Sequence, residues 1–269
     1  MIRVLGVAAL LTSIVLSGFT PVAAGPAGGE VLQGAFPGTY RPGLVYLPPG
    51  FDESNRYPVV YLLHGMPGSP SEYLYGTQLV EYADEQIAAH TLKPFIAVIP
   101  AAGTRRQYNG EWAGPWEDAL VDEIVPWVDT NLPTIPSARG RVIAGLSAGG
   151  FGAIDIAVRH PELFSAAESW SGYFSPLHDG PFKTATRETL AAHDPMILVW
   201  ADRRQLQLSG LRFFVSSGPS HSHWFREEQT VAFAHELRGL GLPVELKLFP
   251  TLKGEWREQL DAGLAWAFA

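Results

Sequence analysis

Cysteine is absent from the 269-residue chain. Disulfides, cysteine-ligated metals, thiol nucleophiles and a lipidated cysteine anchor are thereby excluded, so stability has to come from a packed core. Positive charge is scarce: 19 Lys and Arg stand against 27 Asp and Glu, a formal charge of −8. A surface that acidic repels phosphate backbones and argues against nucleic acid as a partner. Long apolar runs are missing apart from one at the N-terminus. What is abundant excludes disorder: 46% of residues are hydrophobic and 12% aromatic, eight of them Trp.

The N-terminal run has the layout of an export signal. Arg3 precedes an apolar stretch from Val4 to Phe19, and Val22-Ala23-Ala24 places small residues before a cleavage point. The stretch is short of the roughly 20 residues a spanning helix needs; a retained anchor is the alternative. The expected organisation is a signal peptide over residues 1–24 and one domain over residues 25–269. Losing Arg3 makes the mature chain one unit more negative. The expected location is outside the cytoplasm, secreted or in the cell envelope, with membrane contact through the export signal alone. Nothing in the sequence fixes an oligomeric state.

Beyond the Gly/Pro-rich leader Gly25 to Gly29, short apolar runs alternate with helical patterns. The runs are Tyr57 to Leu63, Phe95 to Ile99, Arg141 to Gly145, Phe164 to Trp170, Leu211 to Ser217 and Val244 to Phe249. Gly and Pro bound them, as in the buried strands of a mostly parallel sheet. Between them, Leu120, Ile124 and Val128, then Ala153, Ile156 and Ala157, then Val231, Ala234 and Leu237, and last Trp256, Leu260 and Leu264 form apolar stripes at helical spacing. The alternation predicts an α/β fold with helices on both faces of the sheet.

Gly145-Leu146-Ser147-Ala148-Gly149 follows one of these strands and opens a helical pattern. A G-x-S-x-G string in that setting is a strand-to-helix elbow. Small flanking residues let the backbone turn sharply, and the serine hydroxyl rises at a helix N-terminus that favours developing negative charge. His64-Gly65-Met66-Pro67-Gly68 ends an earlier strand. Pro67 has no N–H, so Met66 is the donor that loop can aim at the nucleophile. With the N–H of Ala148 it would make an oxyanion hole. His64 reads as a residue fixing the loop rather than as a base.

These stretches resemble the esterase D and feruloyl-esterase group of α/β-hydrolases, which includes the secreted mycolyltransferases. The resemblance rests on Tyr57 to Ser69, Glu123 to Leu132, Arg141 to Phe164 and Ser169 to Tyr173. It implies an α/β-hydrolase fold, Ser147 as nucleophile, and Met66 and Ala148 as oxyanion donors. It also implies a small-molecule ester or glycolipid substrate, carrying a sugar, aromatic or fatty acyl group, and no metal or other cofactor.

The group's order is serine, carboxylate, histidine. The carboxylate belongs three residues past Gly218, where this chain has His221. The histidine belongs after Val244 to Phe249, where the chain reads Pro250-Thr251-Leu252-Lys253-Gly254-Glu255-Trp256-Arg257. No histidine follows His235. One arrangement restores a triad with its roles exchanged: His221 or His223 as base, oriented by Glu255. Against it stand a plain polar loop at His221 and His223, and a zinc pair of H-x-H spacing for which no third ligand is evident. His178 lies in a loop able to overhang the site and is a lesser candidate base, His160 ends a helix, His193 and Asp194 before Pro195 read as a turn or a helix start, and His235 reads as surface. Trp112, Trp116, Trp170 and Trp224 suit either ligand rings or the core. Arg105 and Arg106 suit an anion or plain solvent. Two function classes remain: a secreted serine esterase or acyltransferase with an altered triad, and a catalytically silent relative binding a glycan, lipid or protein partner of the cell envelope.

Overall fold

The computed structural model describes residues 16–103, 111–219, 227–250 and 255–268. Nine strands form one sheet: β1 (Phe19–Ala24), β2 (Glu30–Ala35), β3 (Pro42–Leu47), β4 (Val59–Leu63), β5 (Ile96–Ile99), β6 (Arg141–Leu146), β7 (Ala166–Trp170), β8 (Arg212–Ser217) and β9 (Val244–Leu248). Their order is β1-β2-β3-β5-β4-β6-β7-β8-β9. β1 to β3 pair antiparallel and β3 meets β5 antiparallel, whereas every pair from β5 to β9 is parallel. All six expected strands are present within two residues of their ends. The three antiparallel strands were not anticipated: β1 and β2 carry no continuous apolar run, and the run of β3, Leu44 to Leu47, has no helical pattern beside it to mark a strand–helix alternation.

Helices cover both faces. On one side lie α2 (Leu79–Ala88) and α10 (Glu255–Phe268), following the short α1 (Glu72–Tyr75). Leu79, Ala83, Leu260 and Leu264 pack there on Val60, Leu62, Val142 and Ala144. On the other side lie α3 (Pro115–Asp118), α4 (Val125–Asn131) and α5 (Ala148–Arg159), then α6 (Arg187–Ala191), α7 (Pro195–Ala201), α8 (Arg203–Ser209) and α9 (Glu227–Gly239). Leu120, Val128, Ile154 and Phe233 pack there on Val59, Tyr61, Ile143 and Phe213. Alternate residues of each strand thus feed opposite cores, as the two-residue period of a strand requires. The expected stripe along α10 holds at Leu260 and Leu264 but not at Trp256, which is 42% exposed. Gln259, one turn later, already bonds to Ser216 and Ser171 at the ends of β8 and β7. Trp256 therefore overhangs the strand ends.

The expected cleavage point at Ala24 falls at the end of the edge strand β1. The segment just after it is held separately. Buried Asp84 accepts from the Ala27 and Gly29 N–H groups at 3.0 and 2.9 Å and from the Tyr46 hydroxyl at 2.8 Å.

Glu168, on β7, is fully buried in this sheet. Its Oε2 accepts from Trp170 Nε1 at 3.0 Å, and burial pushes its pKa up to about 8. The folded chain therefore keeps a proton that the unfolded chain releases near its ordinary 4.5. Stability from this group is full below about pH 4.5 and is lost as pH rises toward 8, at about 1.4 kcal/mol per unit. Thermal melts of Glu168→Gln should show a flatter decline between pH 5 and 8 than wild type; equal slopes would refute the assignment.

Candidate active site

β6 ends at Leu146 and α5 begins at Ala148, so the whole turn between them is Ser147. Ser147 has φ 54° and ψ −116°, a backbone conformation that side-chain-bearing residues rarely hold. Strain of this kind persists only where the surroundings over-determine it, and it clusters at functional sites. Here the surroundings are visible. The Ser147 N–H donates to Trp170 O at 3.0 Å, and its carbonyl accepts from the Phe151 N–H at 3.0 Å. Gly145 and Gly149 press together: a Cβ on Gly145 would lie 2.2 Å from Gly149 O. Ser147 itself is half-buried, and the first turn of α5 sits directly beneath it.

The loop after β4 runs alongside. A Cβ on Gly65 would lie 3.3 Å from that of Ser147 and 3.9 Å from its Oγ. His64 anchors this loop. Its Nε2 accepts from the Ala102 N–H at 3.1 Å, which leaves Nδ1 to donate to Gly65 O at 2.8 Å. Burial lowers its pKa to about 4, so it stays neutral. Both ring nitrogens are committed, and His64 cannot serve Ser147 as a base. Trp112 Nε1 donates to His64 O at 3.0 Å and locks the same loop from the other side. Trp112, Trp116 and Trp170 are all buried and belong to the core rather than to a ligand platform.

A pocket of about 500 Å³ opens over the serine, lined by Met66, Ser147, Ala148, Tyr173, Pro176, Leu177, His178 and Asp179. It brings together the expected nucleophile and both expected oxyanion donors. Among the described residues, His178 is the histidine on its wall. His221 and His223 lie outside the described residues, as do Arg105, Arg106, Trp224 and the Glu255 side chain, so their placement relative to Ser147 is not part of the structure. The start of α10, which carries Glu255, is tied by Gln259 to Ser171 and Ser216 on this same side of the sheet.

Behind the wall lies a feature that residue patterns did not reveal. Tyr173 stacks on Phe151 of α5, ring centroids 5.0 Å apart, and donates its hydroxyl to Glu111 Oε2 at 2.5 Å. Glu111 is fully buried and shares a side-chain hydrogen bond with Asp179. Glu111 Oε1 and Asp179 Oδ1 have no other partner. A protonated Glu111 avoids placing two carboxylate charges side by side. Burial first, and Asp179 second, push the Glu111 pKa up to about 9.

The pair predicts an alkaline limb. Glu111→Gln should leave turnover at pH 7 within roughly twofold, because Glu111 is already neutral there. Above about pH 9 Glu111 ionises in wild type and brings a second negative charge to the pocket wall, so turnover should fall in wild type and persist in the variant. A pH–rate profile to pH 10 with identical limbs would refute a protonated Glu111.

A second polar cluster lies against α5. His193 Nδ1 meets Asp155 Oδ2 at 2.7 Å, and Glu117 Oε1 meets His160 Nε2 at 2.9 Å. Glu117, Asp155 and His193 are close enough to share an ion. Arg159 fills that role instead: its guanidinium reaches Glu117 Oε1 at 3.0 Å and the His193 ring at 3.1 Å. The cluster contains its own cation and works as a brace between helices. Asp194 caps α7 by accepting from the Met196 and Ile197 N–H groups, as its place before Pro195 predicts. His160 ends α5, and His235 is exposed, both as expected.

Comparison with known proteins gives one consistent picture. The family described as "Putative esterase" matches residues 35–265. An esterase of Mycobacterium tuberculosis is 34% identical over 147 residues, which are 52% of this chain and 31% of that protein. The diacylglycerol acyltransferase/mycolyltransferase Ag85B of Mycolicibacterium smegmatis is 29% identical over 175 residues, 58% of this chain and 52% of that protein. The chain thus spans only about a third to a half of the length of these relatives. Among solved structures, a ferulic acid esterase superposes with a TM-score of 0.74 at 21% identity, covering 93% of this chain and 96% of that one. At that identity the likeness shows the fold, an α/β-hydrolase.

Proposed function

The chain belongs to this esterase family, and from that premise we propose that it is an exported serine esterase or acyltransferase working through an acyl-enzyme on Ser147. The observation that carries the proposal is Ser147 itself, held at φ 54° on the floor of a largely apolar pocket at the start of α5. The Ser147 hydroxyl attacks the ester carbonyl. The resulting oxyanion is received by the N–H groups of Met66 and Ala148. The hydroxyl proton passes to a base, the alcohol departs with a proton, and water or an acceptor alcohol then releases the acyl group.

The chain carries no histidine in its Pro250 to Arg257 segment. The base is therefore drawn from elsewhere in the chain. His178 takes first place because it lines the pocket; His221 or His223, with Glu255 orienting it, is the other arrangement. Substrates with an aromatic or fatty acyl group suit the Met66, Pro176 and Leu177 walls. The absent C-terminal histidine also favours a second reading, a silent homologue that binds an envelope glycan, lipid or protein partner in the same pocket.

One experiment separates the two. The protein is treated with a fluorophosphonate probe, the adduct is mapped by mass spectrometry, and p-nitrophenyl esters from acetate to laurate are assayed alongside. Labelling at Ser147 with turnover above buffer supports the esterase. No adduct and buffer-level rates for every ester would overturn it in favour of binding. Export after Ala24 is a further part of the proposal: the mature mass should begin at Gly25, and an intact N-terminus on the exported protein would refute that.

A further inference from the structure

The pocket around Ser147 sits at the C-terminal ends of the parallel strands. A second cavity lies at the opposite ends. Its volume is about 610 Å³, and Arg56, Lys93, Arg139 and Arg212 line it. Each comes from the N-terminal approach to a different strand: Arg56 before β4, Lys93 before β5, Arg139 before β6, and Arg212 at the start of β8. The parallel pairing of β5, β4, β6, β7 and β8 brings those strand starts to one edge of the sheet. Among the described residues, no Asp or Glu lines it. In a chain with 19 cations and 27 acids, that segregation runs against the composition.

Arg212 interacts electrostatically with the buried Glu168, and among the described residues neither Arg56 nor Arg139 is paired with a carboxylate. Arg141, Arg159 and Arg257 each meet one. No ion pair among the described residues involves Arg56, Arg139 or Arg212. Arg56 reaches only the backbone carbonyls of Glu53 and Asn55, at 3.5 and 3.3 Å. The Arg212 guanidinium lies over the Trp266 ring, 4.4 Å from its centroid, which fixes its orientation. Arg56 and Arg139 are exposed at the mouth. Planar guanidinium forks bind phosphate oxygens two at a time, and several on one cavity act together. The volume falls within the roughly 300–1,000 Å³ of small-molecule sites, more than a bare ion needs.

We propose that this cavity is a binding site for a phosphate-bearing ligand, distinct from the Ser147 pocket and at the other end of the sheet. The ligand is a free phosphorylated small molecule or the phosphate of a lipid headgroup; both present the same oxygens to Arg56, Arg139 and Arg212. The site does not depend on acyl chemistry, so its test stands whether or not Ser147 is a nucleophile.

The test is calorimetric titration of the full mature protein with inorganic pyrophosphate, beside sedimentation with phosphatidylglycerol or phosphatidylcholine vesicles. Wild type and Ser147→Ala should bind pyrophosphate equally, and raising salt from 50 to 200 mM should weaken binding several-fold. The double variant Arg56→Ala/Arg139→Ala should bind at least tenfold more weakly with an unchanged melting temperature, because both side chains are exposed. Arg56→Lys/Arg139→Lys should fall between, keeping charge but losing the fork. Pyrophosphate binding without vesicle binding identifies a free ligand; binding to phosphatidylglycerol vesicles that the double variant loses identifies a headgroup. No heat with 5 mM pyrophosphate, or equal affinity in the double alanine variant, would overturn the proposal.

Discussion

Replacing Ser147 with alanine should lower kcat for p-nitrophenyl esters by about 10⁴- to 10⁶-fold, with KM changed little. That corresponds to about 5–8 kcal/mol of lost transition-state stabilisation. The size follows from the division of labour in the pocket. Ser147 supplies the bond that is made, and without it Met66 and Ala148 can stabilise only attack by water. An oxyanion hole alone retains roughly 10³–10⁴ over the uncatalysed rate, so a small residual turnover is expected rather than none. The fold should be indifferent, because alanine keeps the same unfavourable φ of 54°. Ser147→Gly gives the complementary result: the same loss of turnover, but a higher melting temperature, since glycine relieves roughly 1–2 kcal/mol of backbone strain. His178→Ala should approach the Ser147→Ala rate if His178 is the base, while His221→Ala and His223→Ala leave turnover near wild type. The reverse pattern would move the base to the loop after β8. Turnover in Ser147→Ala close to the wild-type rate would remove the acyl-enzyme altogether.

The sequence carried the centre of the parallel sheet because β4, β5 and β6 are buried on both faces and read as apolar runs. Val59 to Leu63 and Arg141 to Leu146 are buried throughout. β1, by contrast, is exposed along most of its length, and β2 alternates. Neither gives a run that stands out from the Gly/Pro-rich segment around it. The elbow and the His64 loop were legible for a different reason: sharp turns and close backbone approaches restrict residue type to glycine and proline, which leave a mark in the string. The Glu111–Asp179 pair left none. Its members are 68 positions apart, each is an ordinary carboxylate beside a glycine, and only the sheet brings them together behind Tyr173. The same is true of the four cations at the starts of β4, β5, β6 and β8, which are unremarkable until the strands are aligned.

Those close approaches set the largest expected effect on stability. Gly149→Ala should destabilise the protein by roughly 3 kcal/mol or more, beyond the usual range for adding one methyl group to a core. A Cβ at this position would lie 1.9 Å from Leu63 O, 2.5 Å from Leu63 C and 2.8 Å from His64 O. All three are backbone atoms, and β4 is hydrogen-bonded to β5 and β6 on both sides. No rotamer change can relieve the contact, so α5 itself must lift away from β4. Lifting α5 moves the Ala148 N–H away from the Met66 loop and releases the turn that holds Ser147. Fluorophosphonate labelling should therefore drop in whatever fraction stays folded, and melting should shift down by about 6 °C or more at the usual 2–4 °C per kcal/mol for a domain of this size. Gly239→Ala is the matched control: it ends α9 with nothing within 4 Å and no positive φ, so alanine there should be neutral or stabilise by up to about 1 kcal/mol. Equal melting temperatures for the two variants would mean that the elbow tolerates a side chain between β4 and α5. The tight packing would then no longer explain why Ser147 is held at positive φ.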